Sequence, residues 1–126
     1  MIAEQLSLLE QVDEKEVRKL VIKELKNYRA IKVQLENKKE SNQAGVALFP
    51  TLRDSANINA LKIKQIERAL EHSLDEDERL IIEKKYLTAH RTKDINIYME
   101  LNINKDPYYE MKRRAINTIA TALGII

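Results

Sequence analysis

Residues 92–123 read TKDINIYMELNINKDPYYEMKRRAINTIATAL, and the spacing of their apolar positions decides the fold. Ile97 and Leu101 lie four apart on a helix that starts at Thr92 or Lys93. Tyr108, Met111, Ala115, Ile119 and Ala122 then recur at steps of three and four, which is one inward stripe of a second helix. Between the stripes Asn102 and Ile103 make the turn, and Asn104 has the short polar side chain that suits an N-cap. Asn102 stands where Gly is the usual residue, and Asn is one of the few others that tolerate a left-handed backbone. Pro107 falls in the first turn of the second helix, where a missing N–H breaks no intrahelical bond. The pattern is two helices joined by a tight turn, a helix-turn-helix.

With that stripe inward, Lys105, Asp106, Tyr109, Lys112 and Arg113 project outward near the start of the second helix. In helix-turn-helix proteins this is the stretch that enters the DNA major groove. Lys105 and Lys112 suit guanine O6 and N7, Asp106 suits cytosine N4, and Tyr109 suits a thymine methyl or a phosphate. These four are the candidate base-reading residues. Lys84, Lys85, Arg91, Lys93, Arg113 and Arg114 are candidate DNA-backbone contacts, which fix register and make binding salt-dependent. Tyr98 is bulky where the first helix usually carries Gly or Ala. Either the two helices cross differently here or Tyr98 lies along their edge.

The rest of the chain bears out a helical reading. Among 126 residues only two are Gly and two Pro, while 44% are hydrophobic and 33% charged, so the turn punctuation of an all-β fold is missing. The expectation is one all-α domain-sized chain, a long N-terminal helix followed by a helix-turn-helix bundle. Without Cys there is no thiolate nucleophile, disulfide or zinc finger, and two isolated His make a poor metal site. His72 and His90 read as solvent-facing or capping groups. No catalytic residue, metal site or cofactor is assigned, because nothing pairs a nucleophile with an oriented base. The opening MIAEQLSLLEQVDEKE has no basic segment ahead of an apolar run, and nowhere do eighteen apolar residues occur together. The sequence thus carries no visible secretion signal or membrane span.

The formal net charge of +2 conceals a polarised distribution. Residues 1–56 carry ten basic and nine acidic groups, residues 57–83 four and seven, and residues 84–126 eight and four. The basic excess therefore surrounds the helix-turn-helix, beside an acidic middle, an arrangement that would orient the protein on a polyanion.

From Asp13 to Glu40 there is neither Gly nor Pro, and Val17, Val21, Leu25, Tyr28, Ile31 and Leu35 form one stripe on a long helix. At 1.5 Å per residue it would be roughly 40 Å long, more than a domain of this size usually covers with itself. The stripe is thus a candidate homodimer face or partner contact, the alternative being burial on the same chain. The division expected is a long helix over 1–42, a connector over 43–57 marked by Gly45 and Pro50, and a DNA-binding unit over 58–126. Phe49 is expected to pin the connector on the core, with a short helical turn there. Ile58, Leu61, Ile66, Ala69 and Leu70 mark a helix ending near Ser73, and Asp75, Glu76, Asp77 and Glu78 open another that runs to about Leu87. An acidic first turn interacts favourably with the helix dipole.

The strings IEKKYL, DINIYMEL and YYEMKRRAI, within LDEDERLIIEKKYLTAHRTKDINIYMELNINKDPYYEMKRRAINTIATALGI, resemble the C-terminal part of the ArpU family of phage transcriptional regulators. That part is itself similar to the promoter-binding helix-turn-helix of sigma factors in region four. The stretches KELKNYRAIKVQLENKKE, ALFPTLRD and LKIKQIERALEHSLDEDER also look like the family, so the resemblance spans nearly the whole chain. It implies control of phage late genes for packaging, structure and lysis, in the cytoplasm of a bacterial host, with the late promoter region as the DNA partner and host RNA polymerase as a protein partner. Carried over by position, it makes Asn104 the cap of the recognition helix, Lys105, Asp106 and Tyr109 its groove-facing residues, and Lys112 and Arg113 its next turn. Pro107 departs from the polar or basic residue the family often has there, which removes one side-chain contact. The competing expectation from another class is a non-catalytic helical adaptor that binds a protein through its N-terminal helix.

Overall fold

The Asp13 carboxylate accepts the backbone N–H of Lys15 at 2.9 Å and starts α1, which spans Glu14–Ala44. Four further helices follow in the computed structural model, which describes residues 12–126: α2 (Ala56–His72), α3 (Glu76–Tyr86), α4 (Asp94–Glu100) and α5 (Lys105–Ala122). The chain is all-α, and no strand occurs among the described residues. The first eleven residues of the expected 1–42 segment lie outside the described ones.

The α1 stripe is covered by the chain itself. Val17, Val21, Leu25 and Tyr28 are buried against Ile63, Ile66 and Leu70 of α2, Ile82 and Tyr86 of α3, and Ala115, Ile116, Ile119 and Ala120 of α5. Ile31 and Leu35 are half-buried on the same core. Of the two readings of the stripe Val17, Val21, Leu25, Tyr28, Ile31 and Leu35, burial on the same chain is the one observed, in place of a dimer face on its buried positions. Full burial of a Val or Leu side chain contributes about 1.5–3 kcal/mol, so turning this stripe toward a second copy would forfeit several such terms. α1 and the helix-turn-helix share one core. Three helices from the C-terminal part line one face of α1, which is how so long a stripe is covered within one chain.

The inward face of α2 is Ile63, Ile66, Ala69 and Leu70, while Ile58 and Leu61 are exposed. One helical turn back from Ile63 lies Asn59, whose side-chain amide donates to Gln34 Oε1 at 2.9 Å. The first turn of α2 therefore meets α1 through a polar contact, and Ile58 and Leu61 fall on the solvent side. The connector also departs from expectation: it holds no helical turn, Phe49 is 82% exposed and Leu52 is fully exposed. Beyond Leu35 the long helix has outrun the core, and Phe49 borders an open groove with Val33, Leu35 and Lys38 of α1 instead of being buried.

Three of the five helices end in the same way. Gly45 (φ 70°), Asn102 (φ 58°) and Gly124 (φ 75°) are left-handed. After each the chain returns two N–H groups to the last turn: Gly45 to Asn42 and Val46 to Ser41, Asn102 to Met99 and Ile103 to Tyr98, Gly124 to Thr121 and Ile125 to Ala120. This is the Schellman closure, which pairs carbonyls that a helix end otherwise leaves open. At the start of α3 a capping box forms: Glu78 N–H donates to Asp75 Oδ1 at 2.8 Å and Asp75 N–H donates to Glu78 Oε1 at 3.0 Å.

Candidate nucleic-acid interface

The turn between α4 and α5 falls where the spacing places it, with Asn102 left-handed and Lys93 and Asn104 at the two N-cap positions. Asn104 has extended backbone but makes no side-chain capping bond, so it is a cap by position alone. Tyr98 lies along the edge of the pair. Its ring is 5.4 Å from that of Tyr108, tilted by 53°, and it packs with Leu101, Ile103 and Met111 on a second core of Ile81, Ile97 and Tyr108. Of the expected α5 stripe, Tyr108, Ala115 and Ile119 are buried and Met111 half-buried, but Ala122 is exposed, and Ile116 and Ala120 take part instead. The buried face is broader than a single stripe because α5 packs on both α1 and α3.

Asp94 holds this corner together. Its Oδ1 accepts from the Tyr108 hydroxyl at 2.6 Å and from Lys112 Nζ at 3.0 Å, and Lys85 Nζ stands 3.6 Å away. Lys85 also donates to the Thr92 carbonyl at 2.9 Å, and Lys84 bridges to Glu100 at 2.8 Å, which ties α3 to α4 and its leading loop. Burial pushes the Asp94 carboxyl upward, but the hydrogen bonds from Tyr108 and Lys112 and the charges of Lys112 and Lys85 outweigh it and leave the group below its ordinary value. The Tyr108 hydroxyl is held above the usual phenol range, first by burial and then by its bond to Asp94.

These contacts sort the expected site residues. Lys105, Asp106 and Arg113 are exposed on the first turns of α5, together with Tyr109, which is 40% exposed and stands edge-on to Tyr108. Among the described residues neither Lys105 nor Asp106 takes part in an ion pair or side-chain hydrogen bond. Arg113 makes only an exposed pair with Glu110 at 3.1 Å, the kind that contributes little and exchanges readily for another anion. Arg91 and Lys93 are exposed beside the start of α4. Lys112 is a correction: its side chain is 16% exposed and committed to Asp94, with the ammonium 5.2 Å from the Tyr109 ring centre, so it braces the face that it was expected to present. Lys84 and Lys85 are likewise engaged within the fold. Arg114 donates from Nε to the buried Glu78 at 3.0 Å, which joins α5 to α3.

Sequence reasoning missed Asp94 and the second role of Glu78. Only an acid at a helix start, 14 residues before Tyr108, hints at the former. Glu78 read as one member of an acidic run; its place three residues after Asp75 fits a capping box, but no spacing points to its bond with Arg114.

Among the described residues there is no cluster of three or more His, Cys, Asp or Glu able to hold a metal, and no helix long and apolar enough to cross a membrane. Comparison with known protein families, with curated proteins and with solved structures finds no match to this chain.

Proposed function

We propose that this chain is a sequence-specific double-stranded DNA-binding transcription regulator, an activator of phage late genes in the manner that its resemblance to the ArpU family implies. The observation that carries the reading is the exposed start of α5, where Lys105, Asp106, Tyr109 and Arg113 share an outward surface behind a turn closed by Asn102. No bond is made or broken; the mechanism is positioning. The side chains of α5 read base edges, Arg91, Lys93 and Arg113 hold phosphates, and Asp94, Lys112 and Lys85 keep α5 at a fixed angle to α4. Host RNA polymerase is the protein partner under this reading, and the acidic surface of residues 57–83 is the candidate face for it.

The test is binding to the DNA upstream of a phage late operon against scrambled duplex at about 150 mM salt, where a specific site should win by at least about a thousandfold. Equal affinity for the two duplexes would sink the specificity claim. One observation favours a protein contact, at the connector and not through the N-terminal helix that the adaptor reading names: Leu48, Phe49 and Leu52 are exposed. Salt decides between the two, because a protein that neutralises several phosphates loses orders of magnitude in affinity as salt rises and an apolar docking module does not.

A further inference from the structure

The groove between the N-terminal part of α1 and the start of α5 has a volume of about 480 Å³. Arg18 and Ile22 line it from α1, Tyr86 from the end of α3, and Tyr109, Lys112 and Arg113 from α5. Among the described residues Glu14 is the one carboxylate on its wall, one helical turn before Arg18, and with Glu110 it also lines the neighbouring depression beside Arg114, Asn117 and Thr121 toward the far end of α5. Among the described residues three cations thus face a groove with a single acid, on the flank of the helix that carries Lys105, Asp106 and Tyr109. The Arg18 charge is felt there: burial pushes the Tyr86 hydroxyl up to about 12, Asp94 adds to the rise, and Arg18 opposes it.

Resting on the DNA-binding reading above, we propose that this groove receives a backbone phosphate of the duplex bound by α5, and that Arg18 is a phosphate-contacting residue supplied by α1 from outside the helix-turn-helix. The surface carries the argument through charge and continuity. Tyr109 and Arg113 belong both to the groove and to the reading face, so a duplex seated on α5 brings its backbone to the side where Arg18 stands. Lys112 is held by Asp94, and Arg113 already serves a phosphate on the reading face, so Arg18 is the groove cation that adds a further anion contact. A guanidinium meets phosphate through two parallel N–H donors, so the contact also fixes the angle of α1 to the duplex.

The experiment measures affinity against salt concentration for late-promoter duplex and scrambled duplex, using the full chain and the variants R18Q, R18K and K39Q. Lys39 is an exposed cation on the same helix, about 32 Å farther along it at 1.5 Å per residue, and it controls for net charge. R18Q should weaken binding to both duplexes by the same factor and reduce the slope of log affinity on log salt by about one. R18K should recover most of the slope, K39Q should leave it unchanged, and the melting temperature should stay put because Arg18 is exposed. An unchanged slope in R18Q, or an equal fall in K39Q, overturns the proposal while leaving DNA binding in place. If the unaltered chain binds neither duplex in a salt-dependent way, the DNA reading falls and takes this proposal with it.

Discussion

The two ends of α1 pose the same problem and meet it differently. At the N-terminal end Val17, Val21 and Leu25 are sealed under α2, α3 and α5. At the other end an equally apolar string, Val46, Leu48, Phe49 and Leu52, stays in water. Hydrophobicity alone therefore does not decide burial. What differs is whether a second surface exists at that height of the helix, and α5 reaches only the first of the two ends.

The largest expected effect is on the sealed end. Leu25→Ala should cost about 2–5 kcal/mol in urea unfolding, because a fully buried side chain leaves a cavity that its neighbours fill only in part. Phe49→Ala should change stability by less than about 0.5 kcal/mol, despite removing the larger side chain. If the two losses were similar, the contrast between the ends would collapse.

Next comes the polar lock. Asp94→Ala strands the Tyr108 hydroxyl and the Lys112 ammonium, and should lower stability by about 1–3 kcal/mol and loosen α5. Acid should reproduce part of this loss. The folded carboxyl titrates below its ordinary value, so its contribution is complete above the unfolded pKa of about 3.9 and disappears as pH falls through the lower folded value. Asp94→Ala should therefore have a flatter stability profile than the native chain below about pH 4, in denaturant titrations repeated across pH.

Two smaller effects concern helix ends. Asp75→Ala removes half of the capping box and should cost about 0.5–2 kcal/mol, read as a drop in melting temperature. Replacing Asn102 with Val should cost about 1–2 kcal/mol because its backbone is left-handed, whereas Asn102→Gly should be neutral or slightly stabilising. Equal melting temperatures for the two Asn102 variants would show that the turn relaxes when the residue changes.

Local signals were legible and distant pairings were not. Gly45, Asn102 and Pro107 announce their places because each is constrained by its own backbone, and the α1 stripe is visible because helical period is a property of neighbours. Which surface covers that stripe depends on how α5 returns across α1, and no spacing encodes it. The same limit explains the errors at single residues. Ile58 and Leu61 look as inward as Ile66 until the polar Asn59–Gln34 contact sets the rotation of α2. Lys112 reads as an outward cation until Asp94, 18 residues earlier, is brought beside it. The outward positions of Lys105, Asp106 and Tyr109 were legible because they follow from the stripe opposite.

The chain has five tyrosines and no tryptophan, and Tyr98, Tyr108 and Tyr109 lie with neighbouring ring centres 5.4 and 5.2 Å apart at the head of α5. Its near-ultraviolet spectrum is consequently a tyrosine spectrum weighted toward this corner of the molecule. Tyr109 is partly exposed while Tyr108 is sealed, so a small soluble quencher such as iodide should quench the two unequally. Emission near the tyrosine maximum becomes an internal optical gauge of what rests on α5, with no dye attached.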